Sequence, residues 1–441
     1  MKKGAFLLIT ILCSGCFSHP SSNSDETKVI KYTYGHLDEN TMPIMGYLGL
    51  YPNLGLNIVE QYQYAKESGI NVILLGWGYS QNSTNVELYK ALQYAEDNDI
   101  KLIINDPSLF EAKDDQFKEL FESRNYAKYK SFGGFNIKDE PQNYEFSEIN
   151  RKRKLFNKYV GDEYIFYVNL LPIDSFDYDS ETSVNYIDHM VNYFDAMENP
   201  KYISYDFYAL NGESPNIKKN YFRNLDVVSN FAIENDIAFQ NFALVTEHTV
   251  PVMGYDYRNP TYEEISWEVY SSLAYGTKGI NYFCYQQPNN NSDTSGHYLN
   301  KGGSFINVDG ERTETYYLGQ KVNKYIKRIE SILMNSTKVA MMKHETGKLN
   351  AKIEGSFVEE YGKIKSFSSE NDIILSVFKY QNKEIYFVCN LDFINSTEFT
   401  LKLSEELKFN AYVPDIDNFN LNGKEIQYNL SPGSAILLET I

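Results

Sequence analysis

Eight short apolar runs, rich in β-branched and aromatic residues, recur at a steady spacing and constrain the fold of this chain more than any other feature. They are Pro43–Tyr51, Asn71–Trp77, Lys101–Asn105, Gly133–Ile137, Tyr164–Leu171, Tyr202–Tyr208, Phe239–Val245 and Gly279–Tyr285, with starts 28, 30, 32, 31, 38, 37 and 40 residues apart. The stretches between them carry a helical period, as in Val86, Tyr89, Leu92 and Ala95, or Ile217, Tyr221, Leu225 and Val228. Strands alternating with helices at this pitch pair in parallel, because each crossover takes about a dozen residues or more. Local punctuation agrees. Ser68-Gly69-Ile70, Asn98-Asp99-Ile100 and Asn235-Asp236-Ile237 each set a residue tolerant of left-handed φ before an apolar one entering a strand. Thr261 with Glu264 forms a capping box, and Gly276 is placed to end that helix. Eight strands with eight helices is the count of a closed (βα)8 TIM barrel, expected over residues 40–335.

The pattern changes after Lys338. Asp372–Tyr380, Glu384–Cys389, Glu398–Leu403 and Ala435–Glu439 alternate or run apolar between short turns, and no long helical period survives. Residues 336–441 therefore read as a small antiparallel β-sandwich, a packing and stability module.

At the other end, Lys2 and Lys3 precede an apolar run from Ala5 to Cys13, too short to span a bilayer, which needs about 20 residues. Ser14-Gly15-Cys16 follows, and the whole resembles a bacterial lipoprotein signal, with residues 1–15 removed and Cys16 lipidated. Residues 16–39 read as the lipidated Cys and a tether. The expectation is a protein held at a membrane outside the cytoplasm by its anchor alone. A net charge of −18 disfavours nucleic acid and makes a polyanionic substrate less fitting, unless a local basic patch overrules it. Cys13, Cys16, Cys284 and Cys389 fit neither a disulfide framework nor a zinc site, and Cys284 and Cys389 are expected to be buried apolar side chains. No metal or organic cofactor is implied.

In a (βα)8 barrel the chemistry gathers where the strands end, because the loops there surround one bowl. These exits are Gly76-Trp77-Gly78-Tyr79, Asn105-Asp106-Pro107, Lys138-Asp139-Glu140-Pro141, Asn169, Tyr205-Asp206-Phe207-Tyr208, Thr246-Glu247-His248 and Tyr285-Gln286-Gln287. Amides and carboxylates bind hydroxyls and aromatic faces stack on sugar rings, so such mouths suit a carbohydrate. Trp77, Asp106, Asp139, Asn169, Tyr205, Asp206, Tyr208, His248, Tyr285 and Gln286 are the candidate sugar-binding residues, while Trp267 reads as core. The polar stretch Asn289–Ser295 reads as a loop near the bowl. Cleaving a glycosidic bond needs one carboxyl to protonate the leaving oxygen and a second to attack or to activate water. Glu140 and Glu247 follow strands four and seven, on opposite sides of the bowl, with Asp206 the alternative second carboxylate.

The segment Gly134-Phe135-Asn136-Ile137-Lys138-Asp139-Glu140-Pro141 resembles strand four of family-42-type β-galactosidases. The stretches Arg258-Asn259-Pro260-Thr261 and Ala274-Tyr275-Gly276-Thr277-Lys278-Gly279-Ile280-Asn281-Tyr282-Phe283 are similar to their helix-seven and strand-eight region. Leu430-Ser431-Pro432-Gly433-Ser434-Ala435 is similar to the closing turn of the accessory sandwich behind many glycosidase barrels. The resemblance is to retaining barrel glycosidases with their acid/base after strand four and nucleophile after strand seven. It implies Glu140 as acid/base and Glu247 as nucleophile; where that clan has Asn before the acid/base, this chain has Asp139. Asp139 is expected to keep Glu140 protonated through its charge, with Tyr205 or Tyr208 donating to Glu247. The expected activity is retaining hydrolysis of a β-linked neutral glycan. The other reading is a non-catalytic glycan-binding lipoprotein on a degenerate barrel.

Overall fold

The computed structural model describes residues 34–50, 58–75, 85–180, 182–288, 299–380 and 382–441. Among them, in chain order, lie β1 (Ile44–Gly49), β2 (Val72–Leu75), β3 (Lys101–Ile104), β4 (Phe132–Asp139), β5 (Ile165–Leu170), β6 (Tyr202–Tyr205), β7 (Ala238–Leu244), β8 (Thr246–Val250), β9 (Tyr255–Tyr257), β10 (Ile280–Phe283) and β11 (Leu299–Gly303). Strands β1 to β7 and β10 close into a barrel in the order β1-β10-β7-β6-β5-β4-β3-β2, every pair parallel. This is the (βα)8 architecture expected from the spacing. The strands read as apolar runs because helices cover their outer faces and neighbouring side chains fill the inside, so β2, β5, β6 and β7 are buried at every position.

One turn is used three times to hand a helix to a strand. Gly69, Asp99 and Asp236 take φ of 85°, 57° and 55°. In each case the next amide, of Ile70, Ile100 or Ile237, reaches back to the carbonyl of Ala65, Ala95 or Ala232, at 3.1, 2.9 and 2.9 Å. That bond satisfies an orphan carbonyl of the helix end and points the isoleucine into the next strand. The helix Tyr262–Tyr275 starts on the capping box: Thr261 Oγ1 accepts from the Glu264 amide at 3.3 Å, and the Glu264 carboxylate accepts from the Thr261 amide at 3.0 Å. It ends at Gly276, whose φ is 97°.

The C-terminal strands are β12 (Thr337–His344), β13 (Ile364–Ser369), β14 (Ile373–Tyr380), β15 (Lys383–Asn390), β16 (Thr397–Tyr412), β17 (Phe419–Leu430) and β18 (Ala435–Thr440). They form one antiparallel seven-stranded sheet with a sandwich-like core. The long strand β16 makes this possible: its first half pairs with β13, its second with β18, across a register break between Lys402 and Leu407. Alternate residues then serve two interiors. Leu375, Val377, Tyr386, Val388, Leu401 and Leu438 fill the sheet's own core, while Ile374, Phe378, Ile385, Phe387 and Leu437 join the barrel's core. Trp267 sits at that seam, stacked on Tyr221 at 4.9 Å and meeting Phe393 at 5.5 Å. Cys284 and Cys389 are free and buried.

Candidate active site

At the C-terminal end of the barrel strands lies a cavity of about 620 Å³. Its polar lining includes Asp139, Glu140, Asn169, Asp206, His248 and Lys218, and its aromatic floor is Tyr47, Tyr208, Phe242 and Phe283. The carboxyls reach it for local reasons. The register of β4 against β5 shifts between Asn136 and Lys138, and such an irregularity re-aims the residues beyond it. Asp139 ends the strand, and Glu140 takes φ of 48°, a left-handed conformation that a non-glycine residue adopts only when held there. Its amide is fixed by the Asn169 carbonyl at 2.8 Å. Asp206 follows the last residue of β6 directly.

Asn169 ties two of these acids together. Its Nδ2 donates to Asp139 Oδ1 at 3.2 Å and to Asp206 Oδ1 at 2.8 Å, while its Oδ1 accepts from Ser204 Oγ at 3.0 Å. The two carboxylates therefore lie within two hydrogen-bond lengths of each other. Burial raises the pKa of Asp206 to about 7, and the charge of Asp139 pushes the same way against the bonds from Asn169 and Tyr208. Asp139 is raised by burial too, against the opposing effect of Tyr47 and Asn169. Glu140 lines the cavity as a solvent-exposed side chain. Burial, then the charges of Asp206 and Asp139, push its pKa up to about 8. Among the described residues its carboxyl has no hydrogen-bond donor to favour the charged form.

The residue after the seventh barrel strand does not leave into a loop. The chain pleats on as β8, which pairs antiparallel with β9 and β11 to build a wall of the bowl. His248 and Val250 line the cavity from β8, so strand parity turns Glu247 and Thr249 to the opposite face. Glu247 is half-buried there and does not line the cavity, which corrects the expectation that it faces Glu140. Tyr208 stands beside Asp206 rather than Glu247. His248 is neutral, its pKa lowered by burial to about 4, and it packs on Tyr257 at 4.6 Å.

Of the other candidate residues, Asp139, Asn169, Asp206, Tyr208 and His248 share the cavity with Glu140. Asp106 does not. It caps the helix Pro107–Glu111, accepts from Tyr126 Oη at 2.8 Å and pairs with Arg124 at 3.3 Å. Tyr205 points into the core on the far side of its strand from Asp206 and is fully buried. Tyr285 packs on Phe305 and donates to the Gln61 carbonyl at 3.4 Å, and Gln286 is buried beside it; neither lines the cavity. Trp77, Cys16 and Asn289–Ser295 lie outside the described residues.

No protein-family model matches the chain, and no curated protein matches its sequence. Solved structures similar to it include a β-galactosidase from the psychrophilic Marinomonas ef1, at 10% identity over 66% of this chain and 62% of that one, with a TM-score of 0.48. An Anoxybacillus α-amylase is similar at 11% identity over 91% of this chain and 98% of its own, TM-score 0.48. A family-42 β-galactosidase from G. stearothermophilus is similar at 10% identity over 93% and 100%, TM-score 0.47.

Two residues in and behind the cavity gave little sign in the sequence. Lys218 lines the cavity from the loop after β6, because the helix starts at Tyr221 and not at Ile217 as the apolar period suggests. Glu268, inside the helix Tyr262–Tyr275, is fully buried and accepts from the Leu244 amide at 2.9 Å and the Ala209 amide at 3.4 Å. It clips the end of β7 to the turn that carries Asp206 and Tyr208. Among the described residues, no three His, Cys, Asp or Glu side chains converge closely enough to hold a metal ion.

Proposed function

We propose that the protein is a retaining glycoside hydrolase of a β-linked glycan, with Glu140 as acid/base and Asp206 as the second carboxyl. The observation that carries this reading is the meeting of Asp139, Glu140 and Asp206 above an aromatic floor in one bowl. A retaining pair works at about 5–5.5 Å, and Glu140 and Asp206 leave β4 and β6, the two neighbours of β5, into one cavity. Protonated Glu140 donates its proton to the glycosidic oxygen as an Asp206 oxygen bonds C1, releasing the alcohol. Glu140, now ionised, takes a proton from water, whose oxygen bonds C1 and frees Asp206. Hydrogen bonds from Asn169 and Tyr208 favour the charged form of Asp206, against the burial that raises its pKa to about 7. Tyr47, Phe242 and Phe283 offer faces for a sugar ring. The pattern Lys2-Lys3, an apolar run and Cys16 supports an extracytoplasmic, lipid-anchored location.

The test is turnover of a panel of aryl β-glycosides by wild type and Glu140→Gln. Loss of a general acid is expected to cost roughly 10²–10⁴-fold on substrates with poor leaving groups and much less on activated ones. Equal turnover by both proteins would remove Glu140 from the chemistry. Binding of glycans without turnover by either would favour the non-catalytic reading.

A further inference from the structure

Lys218 is a cation set into the wall of a bowl whose other charged side chains, among the described residues, are the acids Asp139, Glu140, Asp174 and Asp206. Its ammonium lies 3.9 Å from the centre of the Tyr255 ring and donates to Tyr257 Oη at 2.7 Å. It forms no ion pair among the described residues. The two nearby acids are held by amides, Asp174 by Asn220 at 2.7 Å and Asp206 by Asn169 at 2.8 Å. Burial lowers its pKa to about 8, with Asp174 and Asp206 acting to raise it. The Tyr257 oxygen accepts from the lysine, so its own proton is free to donate, and burial keeps that phenol protonated. Two donors, one charged, thus sit side by side on the cavity surface, at a spacing that fits the two oxygens of a carboxylate.

We infer that Lys218 and Tyr257 form a subsite for the carboxylate of a uronic acid residue in the glycan. A neutral hydroxyl would not offset the desolvation of the ammonium in this aromatic wall. A phosphate dianion would bring a second negative charge against Asp139 and Asp206, which a single lysine does not balance. The neutral glycan expected from the chain's net charge of −18 gives way here, because net charge describes the surface and this cation is local. The turnover part of the test rests on the hydrolase reading of the same cavity; the binding part does not.

The probes are 4-nitrophenyl β-glucuronide and β-galacturonide, each against its neutral parent, with a 6-sulfated β-galactoside as a third anion. Wild type, Lys218→Met and Tyr257→Phe are compared, each checked for an unchanged circular dichroism spectrum. A uronide is expected to surpass its parent in kcat/KM, and Lys218→Met to lower that value roughly ten- to a hundredfold, mainly through KM. Tyr257→Phe is expected to lower it less, and neutral substrates to change only a few-fold. Preference for the neutral parents, an equal loss on both classes, or cleavage of the sulfated sugar but no uronide would overturn the subsite. If nothing turns over, calorimetry with glucuronate against glucose reads the same contrast. Glucuronate binding that Lys218→Met abolishes supports the subsite and leaves only the hydrolase reading to fail; absent or indifferent binding overturns it.

Discussion

Asp139, Glu140 and Asp206 cannot all be ionised near neutrality: burial raises the pKa of all three, the charge of Asp139 raises that of the other two, and the charge of Asp206 raises that of Glu140. The proposed chemistry needs Asp206 charged, which favours pH above its pKa, and Glu140 protonated, which favours pH below its own. With values of about 7 and about 8, kcat/KM is expected to trace a bell with its maximum between them. Asp139→Asn removes one negative charge from the cluster, so both limbs should move to lower pH. A profile flat from pH 5 to 9 in wild type, or limbs that move upward in the variant, would contradict the shared-charge picture.

At the scale of elements, the exits of β4, β5 and β6 were legible because a parallel barrel strand is buried on both faces, and the first polar residue after the apolar run marks where it ends. Asp139, Glu140 and Asp206 were singled out in that way, while Asn169 lies inside β5, one residue before its end. Glu247 was misread since Thr246-Glu247-His248-Thr249-Val250 has no apolar alternation to give its parity, and its partner strand β11 is remote in sequence. Asp106 carried a signal that favoured a cap: Asp-Pro-Ser-Leu sets proline at the first helical position. Lys218 was hidden by an apolar period that runs on outside the helix. The irregular edge of β4 also carries a testable demand. Gly134 has φ of 145°, and a Cβ there would run into the Ile165 backbone. Gly134→Ala is expected to cost at least about 3 kcal/mol of stability, read from the urea midpoint, and to lower activity by displacing Asp139 and Glu140. An unchanged midpoint would show that β4 does not need this glycine.

Over the whole molecule, the C-terminal sheet and the barrel share one buried interior: Ile374, Phe378, Phe387 and Leu437 belong to the same cluster as Trp267 and Tyr221. The full chain should therefore unfold in a single calorimetric transition, and a chain ending at Asn335 should aggregate or lose cooperativity, since the covered apolar face would meet water. A soluble truncated barrel with an undiminished melting temperature would make the sheet an independent attachment. The proposed catalysis is also a property of the whole bowl, and its most direct test identifies which carboxylate bonds to the sugar. The 2-deoxy-2-fluoro analogue of whichever aryl glycoside is turned over should trap a glycosyl-enzyme, and peptide mapping by mass spectrometry should locate it. The expected label is on Asp206; a label on Glu247, or turnover with no covalent adduct, would contradict the arrangement described for this site.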